Sequence, residues 1–224
     1  MKIHTICLGL DYCYLIQDVG TIMIDGGSPG KAKQFTRALS KIGIKPGTIK
    51  LLIITHGHFD HIGSARDIKE ITGAKLAMHE LEKEWLEKSL KSLPPGVTQW
   101  GKIFHGVLKL FMPLIHIPAT TVDIVLGDEE RPLTEYGIRG EIVPTPGHSR
   151  GSVSILLDSG EAFVGDLAMN KFPLRLNAGL PIFAEDLSIL KASWRRLLDQ
   201  GAKTIYPAHG DPFPAEVIHR ALQK

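Results

Sequence analysis

Three imidazoles and one carboxylate fall within six residues in Thr55-His56-Gly57-His58-Phe59-Asp60-His61, directly after the apolar run 49–54. Imidazole and carboxylate are ligands that zinc, iron and manganese accept. A buried apolar strand that stops at such a cluster holds it rigidly at a sheet edge. His56 and His58, two apart in extended chain, can reach one metal, while the adjacent Asp60 and His61 point differently and can serve a second. One short loop thus starts two metal sites.

His-x-His-x-Asp-His after an apolar strand resembles the signature of the metallo-β-lactamase superfamily, and the later pieces follow in that family's order. Its third histidine lies in Thr145-Pro146-Gly147-His148, its bridging aspartate in Phe163-Val164-Gly165-Asp166, and its last histidine in Ile205-Tyr206-Pro207-Ala208-His209-Gly210. The resemblance runs from Ile22-Met23-Ile24-Asp25-Gly26-Gly27 to His209. It implies an α+β fold, a four-layer αββα sandwich, here with an apolar helical insertion around residues 92–118. It also implies that His56, His58 and His148 hold one metal, that Asp60, His61 and His209 hold the other, and that Asp166 bridges them. The expected cofactors are two divalent ions, zinc foremost, with iron or manganese as alternatives. The expected activity is a dinuclear hydrolase that uses a metal-bridging hydroxide on a carboxylic ester, thioester or lactone, with Asp60 also orienting the nucleophile or relaying a proton.

Individual positions narrow the branch. Flavodiiron oxidoreductases carry glutamate where this chain has His58, and the best-known β-lactamases lack a bridging aspartate. Glyoxalase II adds a basic helical extension for glutathione, which the residues after His209 do not resemble. Acyl-homoserine lactonases have a tyrosine three residues after the bridging aspartate, where this chain has Met169. The alternatives carried forward are a mononuclear iron oxidoreductase resembling the persulfide dioxygenases and a phosphodiesterase.

Composition bounds the partners. Hydrophobic residues make up 43% and charged residues 22% of 224, with a net charge of +2. That is ordinary for a soluble globular chain and leaves no basic footprint for nucleic acid. The expected partner is a small molecule, with neither nucleic acid nor membrane. Residues 1–224 read as one domain with enough chain to bury a core without metal. A strand pattern begins at Lys2, no window is long and uncharged enough to span a bilayer, and Cys7 and Cys13 read as reduced thiols, so the expected location is cytoplasmic.

The elements that must position the cluster follow from periodicity. Residues 2–8, 12–17 and 21–24 read as an antiparallel meander punctuated by Gly9 and Gly20. Helical spacing follows over 32–42, ended by Gly43, and beyond the cluster over 62–71, ended by Gly73. Residues 75–78 read as a strand and 80–90 as a charged surface helix. Strands are expected at 122–126, 141–143, 152–157, 162–164 and 203–206, a loop at 170–182, and helices at 187–198 and 215–222.

Trp100, Phe104, Val107, Leu108 and Phe111 recur at helical spacing up to a break near Pro113. Two uses are open for that helix: a lid or pocket wall for an apolar acyl group, or packing within the core or in a homodimer. Asp25 either orients a ligand histidine or caps a turn before Gly26-Gly27. His79 reads as a satisfied polar residue outside the cleft, and His105 and His116 as surface or lid residues. Lys171 and Arg175 read as solvated charges, with a substrate anion as the alternative use.

Overall fold

The computed structural model describes residues 1–172 and 174–223. Strands β1 (Lys2–Cys7), β2 (Tyr12–Gln17) and β3 (Thr21–Ile24) form the expected antiparallel meander. Pairing then turns parallel, with β4 (Ile49–Ile53) beside β3, β5 (Lys75–His79) beside β4, and β6 (Ile124–Leu126) at the edge. Parallel neighbours need crossovers. Helix α1 (Ala32–Ile42) joins β3 to β4, and α2 (Phe59–Ile62) with α3 (Ala65–Thr72) joins β4 to β5. Helices α4 (Lys83–Glu87) and α5 (Gln99–Phe111) lie between β5 and β6.

The second sheet is built from β7 (Arg131–Pro132), β8 (Gly140–Pro144), β9 (Val153–Leu157), β10 (Glu161–Met169), β11 (Thr204–His209) and β12 (Phe213–Pro214), in sequential order across the sheet. Strands β10 and β11 are parallel and are joined by α6 (Leu187–Asp199); α7 (Glu216–Leu222) closes the described chain. Asp186 starts α6 by accepting from the backbone N–H groups of Ser188 (2.7 Å) and Ile189 (3.0 Å).

Side-chain alternation decides the layers. Tyr14, Ile16, Ile22, Ile24 and Ile53 meet Ile142, Ile155 and Phe163 between the sheets. Their neighbours Leu15, Met23, Leu52 and Ile54 turn outward onto Phe35 and Leu39 of α1 and Ile68 of α3. On the other side Val143, Leu156 and Val164 meet Leu190, Trp194 and Leu197 of α6 and Ile218 of α7. This is the αββα sandwich, and strands buried on both faces are why the sequence reads as continuous apolar runs.

Four expectations need correction. The helix expected over 80–90 is only Lys83–Glu87, because Glu82 is buried and used elsewhere. The helix expected over 62–71 is two pieces separated at Gly63-Ser64. Strands β10 and β11 run on to Met169 and His209, past the expected 164 and 206. The two-residue strands β7 and β12, each containing a proline, carry too little pattern to be read. Helix α5 stops at Phe111, where Pro113 cannot supply the next N–H, and continues as a turn over Met112–Leu114. Cys7 and Cys13 are both free. Among the described residues, no helix is long and apolar enough to cross a membrane.

Candidate metal centre

Strand β4 ends at Ile53 and delivers Thr55 and His56 to the carboxyl edge of the first sheet. Asp25, just past the neighbouring β3, secures that edge. Its Oδ1 accepts from the Thr55 N–H at 2.8 Å, the Thr55 hydroxyl donates to the same carboxylate, and its Oδ2 lies 2.9 Å from His61 Nδ1. Orientation of the His61 ring is therefore the use the structure shows for Asp25. It does so at φ +64, a left-handed conformation that Asp tolerates better than most residues.

Four imidazoles are turned the same way by what holds their Nδ1 atoms. His56 Nδ1 donates to the Thr55 hydroxyl oxygen (3.1 Å), His61 Nδ1 to Asp25, His148 Nδ1 to the Phe183 carbonyl (2.9 Å) and His209 Nδ1 to the Leu10 carbonyl (3.3 Å). Each Nε2 is thereby turned inward. His58 precedes α2, and its ring stacks on Trp85 at 6.0 Å between centroids. Two glycines permit the close approaches. A Cβ at Gly147 would sit 2.3 Å from the Leu190 nitrogen, and one at Gly165 2.6 Å from the Thr55 hydroxyl.

The structure brings all seven predicted residues into two adjoining groups. His56, His58, His148 and Asp166 form one, and Asp60, His61 and His209 the other, with donor atoms in each within 4.8 Å of one another. His148 Nε2 lies 3.0 Å from His58 Nδ1 and 3.7 Å from Asp166 Oδ2. The other oxygen, Oδ1, lies 3.4 Å from His61 Nε2 and 3.3 Å from His209 Nε2; Asp60 Oδ2 is 3.4 Å from His209 Nε2. Donors about 2.05 Å from one tetrahedral ion are roughly 3.3 Å apart, so the separations of 3.3–3.7 Å around Asp166 and Asp60 match the edges of coordination polyhedra better than hydrogen bonds, while His58 and His148 stand at hydrogen-bond distance. His56 Nε2, His58 Nε2, His61 Nε2 and Asp166 Oδ1 are buried without a hydrogen-bond partner. Divalent cations fit this donor set.

Electrostatics separates the two groups. Burial lowers His56 well below the ordinary histidine value and His58 to about 3, and His148 falls for the same reason. These imidazoles are neutral at neutral pH, as metal ligands must be. In the second group burial is outweighed. Asp25 and Asp166 raise His61 well above its ordinary value, and Asp166 with Asp60 raises His209 to about 10. Burial pushes Asp60 and Asp166 up, but His209 and His61 hold both carboxyls below the usual range. A cation entering the second group displaces protons.

Asp11 was not anticipated from sequence. It is fully buried, with Oδ1 unpartnered and Oδ2 3.6 Å from Cys13 Sγ, and burial pushes its carboxyl up to about 7, partly offset by His61. The folded chain therefore holds a proton that the unfolded chain releases near pH 4. Asp11's own contribution to the stability of the metal-free protein should therefore fall as pH rises from about 4 to 7 and be absent above that. Asp11→Asn is expected to flatten that slope and to stabilise the metal-free protein at pH 8 by a few kcal/mol, on the order of the three-unit shift. Denaturant unfolding at pH 5 and pH 8 measures it, and equal gains at both would contradict the assignment.

A cavity of about 250 Å³ opens over both groups, with His58, Asp60, Asp166 and His209 at its floor. Leu93, Phe104, Leu108, Phe172, Leu174 and Phe183 line it. Helix α5 supplies a pocket wall through Phe104 and Leu108, which also pack against Met169, Ile182 and Phe183, while Ile103 (61% exposed) and Leu110 (76%) face outward. Lys171 lies on the cavity but donates to the Leu10 carbonyl (3.0 Å) and sits over the Tyr12 ring. Arg175 approaches the Asn177 carbonyl (3.4 Å). His79 is buried outside the cavity, accepting from the Leu81 N–H, and His105 Nδ1 lies 3.0 Å from the Pro94 carbonyl.

The family model of the metallo-β-lactamase superfamily matches residues 9–209. The chain belongs to that superfamily, a superfamily of metallo-hydrolases, and carries a His/Asp cluster of the metal-binding kind. It is 28% identical over 156 residues to a probable metallo-hydrolase, YqgX, of Bacillus subtilis, covering 69% of this chain and 64% of that protein. It is 28% identical over 159 residues to the hydroxyacylglutathione hydrolase GloC of Haemophilus influenzae, covering 69% of this chain and 65% of that one. The chain thus spans under two thirds of the length of these relatives. The archaeal superfamily protein ST1585 from Sulfolobus tokodaii shares the fold, with a TM-score of 0.71, 22% identity, and coverage of 99% of this chain and 84% of that one.

Proposed function

We propose that this protein is a dinuclear metal-dependent hydrolase of carboxylic esters, thioesters or lactones whose acyl group is apolar. One observation carries the reading: Asp166 turns one carboxylate oxygen to each histidine group at the floor of an apolar cavity. His56, His58 and His148 would hold the first ion, Asp60, His61 and His209 the second, with Asp166 serving both. Zinc suits these donors, as do iron and manganese. Bound as a pair, such ions make hydroxide available near neutral pH and polarise a carbonyl oxygen.

The chain's own residues do the rest. Asp60, held ionised beside His209 and lining the cavity, orients the nucleophile and takes up its proton. Phe104, Leu108 and Phe183 exclude water and hold the acyl group. A cavity of 150 Å³ accommodates benzene, so about 250 Å³ suits roughly ten non-hydrogen atoms.

Elemental analysis of protein purified without added metal should find about two divalent ions per chain. Turnover of p-nitrophenyl esters should peak near medium chain length. About one iron per chain with oxygen uptake would instead establish the mononuclear oxidoreductase. Phe104→Ala is expected to lower kcat/KM for an octanoyl ester by roughly 30-fold, from about 2 kcal/mol of lost apolar contact, and for acetate by less than about threefold. Equal losses for both esters would remove the acyl-pocket assignment.

A further inference from the structure

We propose that Glu82 is a positioning residue for the first ion, clamping the two loops that deliver its histidines; this rests on the metal-centre reading above. Glu82 is 1% exposed, whereas Glu80 and Glu84 beside it are exposed. Its Oε2 accepts from the Gly57 N–H at 2.6 Å, and its Oε1 accepts from the Gly151 N–H at 2.8 Å. Gly57 is the residue between His56 and His58, and Gly151 lies three residues beyond His148. One carboxylate therefore ties together two loops that are about ninety residues apart in sequence.

The same turn addresses the ligand loop a second time. Trp85, three residues on, stacks on the His58 ring and covers Gly57, where a Cβ would lie 2.4 Å from the indole. A Cβ at Gly151 would lie 2.9 Å from Glu82 Cγ. Glycine is required at both contacts because the carboxylate and the indole occupy the space of a side chain. The second group has no link to Glu82. Its orientation comes from Asp25 on His61 and from the Leu10 carbonyl on His209. The Glu82 clamp thus addresses the loops of the first group, whereas Asp25 reaches both groups, holding His61 directly and His56 through the Thr55 hydroxyl.

Glutamine at position 82 keeps one acceptor and turns an amide N–H₂ toward a backbone N–H, so one loop is released. Replacing a supporting group around a metal ligand costs 10–100-fold in metal affinity. Wild type, Glu82→Gln and Glu82→Asp would be titrated with cobalt(II) and with zinc against a chelator, following the cobalt absorption bands and the stoichiometry. Exposed Glu84→Gln on the same turn serves as the control. The expected result for Glu82→Gln is affinity for one of the two ions weakened at least about tenfold, the other unchanged, and the cobalt bands of the weakened site altered. Metal-free melting should stay close to wild type. Glu82→Asp should recover part of the loss. Two ions bound with wild-type affinity, or both weakened equally alongside a large drop in metal-free melting, would overturn the proposal. Wild type that binds no metal would overturn the metal-centre reading instead, and hydrogen exchange at Gly57 and Gly151 in metal-free wild type tests the clamp even if the variants fail to fold.

Discussion

Asp166→Asn is expected to fold, to retain about one metal ion in place of two, and to lose turnover by on the order of a thousandfold or more, about 4 kcal/mol of transition-state stabilisation. Oδ2 faces His148 and Oδ1 faces both His61 and His209, so the residue serves each group through a different atom. A carboxamide has one oxygen for two sites and carries no charge. If the oxygen stays with the first group, the amide N–H₂ faces His61 Nε2 and His209 Nε2, and Asp60 alone carries negative charge on the second. The cost falls on the second ion because Asp166 Oδ1 faces two histidines of that group. Metal content by elemental analysis and steady-state turnover are the two readouts. Unchanged values for both would remove Asp166 from the bridging position. Asp166→Ala adds a cavity at a nearly buried site, so asparagine is the cleaner comparison.

The local part of this centre was legible because its chemistry is compressed into 56–61, where spacing alone separates His56 and His58 from Asp60 and His61. The sandwich was legible for a related reason: strands buried on both faces leave dense apolar runs, and Gly43 and Gly73 end their helices in left-handed conformations. The reading was poor where tertiary contact overrides local preference. Strand β10 seemed to stop at Val164 because Gly165 and Asp166 are poor strand formers, yet pairing with β11 continues through register shifts on either side of Gly165. Glu82 looked like one more charge on a surface helix, and only the positions of Gly57 and Gly151 explain its burial. Asp11, after Gly9-Leu10, carries every mark of an exposed turn residue and is fully buried. The amphipathic pattern of α5 was clear, but its apolar arc divides between the cavity and solvent, a division set by elements over a hundred residues away in places.

Asp25→Asn is the second large effect, and it separates orientation from mere packing. Asparagine tolerates φ +64 about as well as aspartate, so the backbone at the end of β3 should hold, and its carbonyl oxygen can still accept from the Thr55 N–H. The amide N–H₂ then faces His61 Nδ1, which must become an acceptor. The proton moves to His61 Nε2, the atom 3.4 Å from Asp166 Oδ1, and that nitrogen no longer has a lone pair for a cation. Exchanging one carboxylate oxygen for NH2 should therefore weaken the second ion by about 10–100-fold, with a smaller effect on the first, which Asp25 reaches only through the Thr55 hydroxyl on His56. Asp25→Ala removes the tautomer conflict but leaves the Thr55 N–H unsatisfied and places Cβ-only chemistry at a positive φ, so it should lose more stability and keep more of the second ion's affinity than asparagine does. Melting temperature without metal and stoichiometric titration with zinc place the two variants in opposite order. If both fall together on both axes, Asp25 acts only by holding the strand edge, and His61 takes its direction from Asp166 instead.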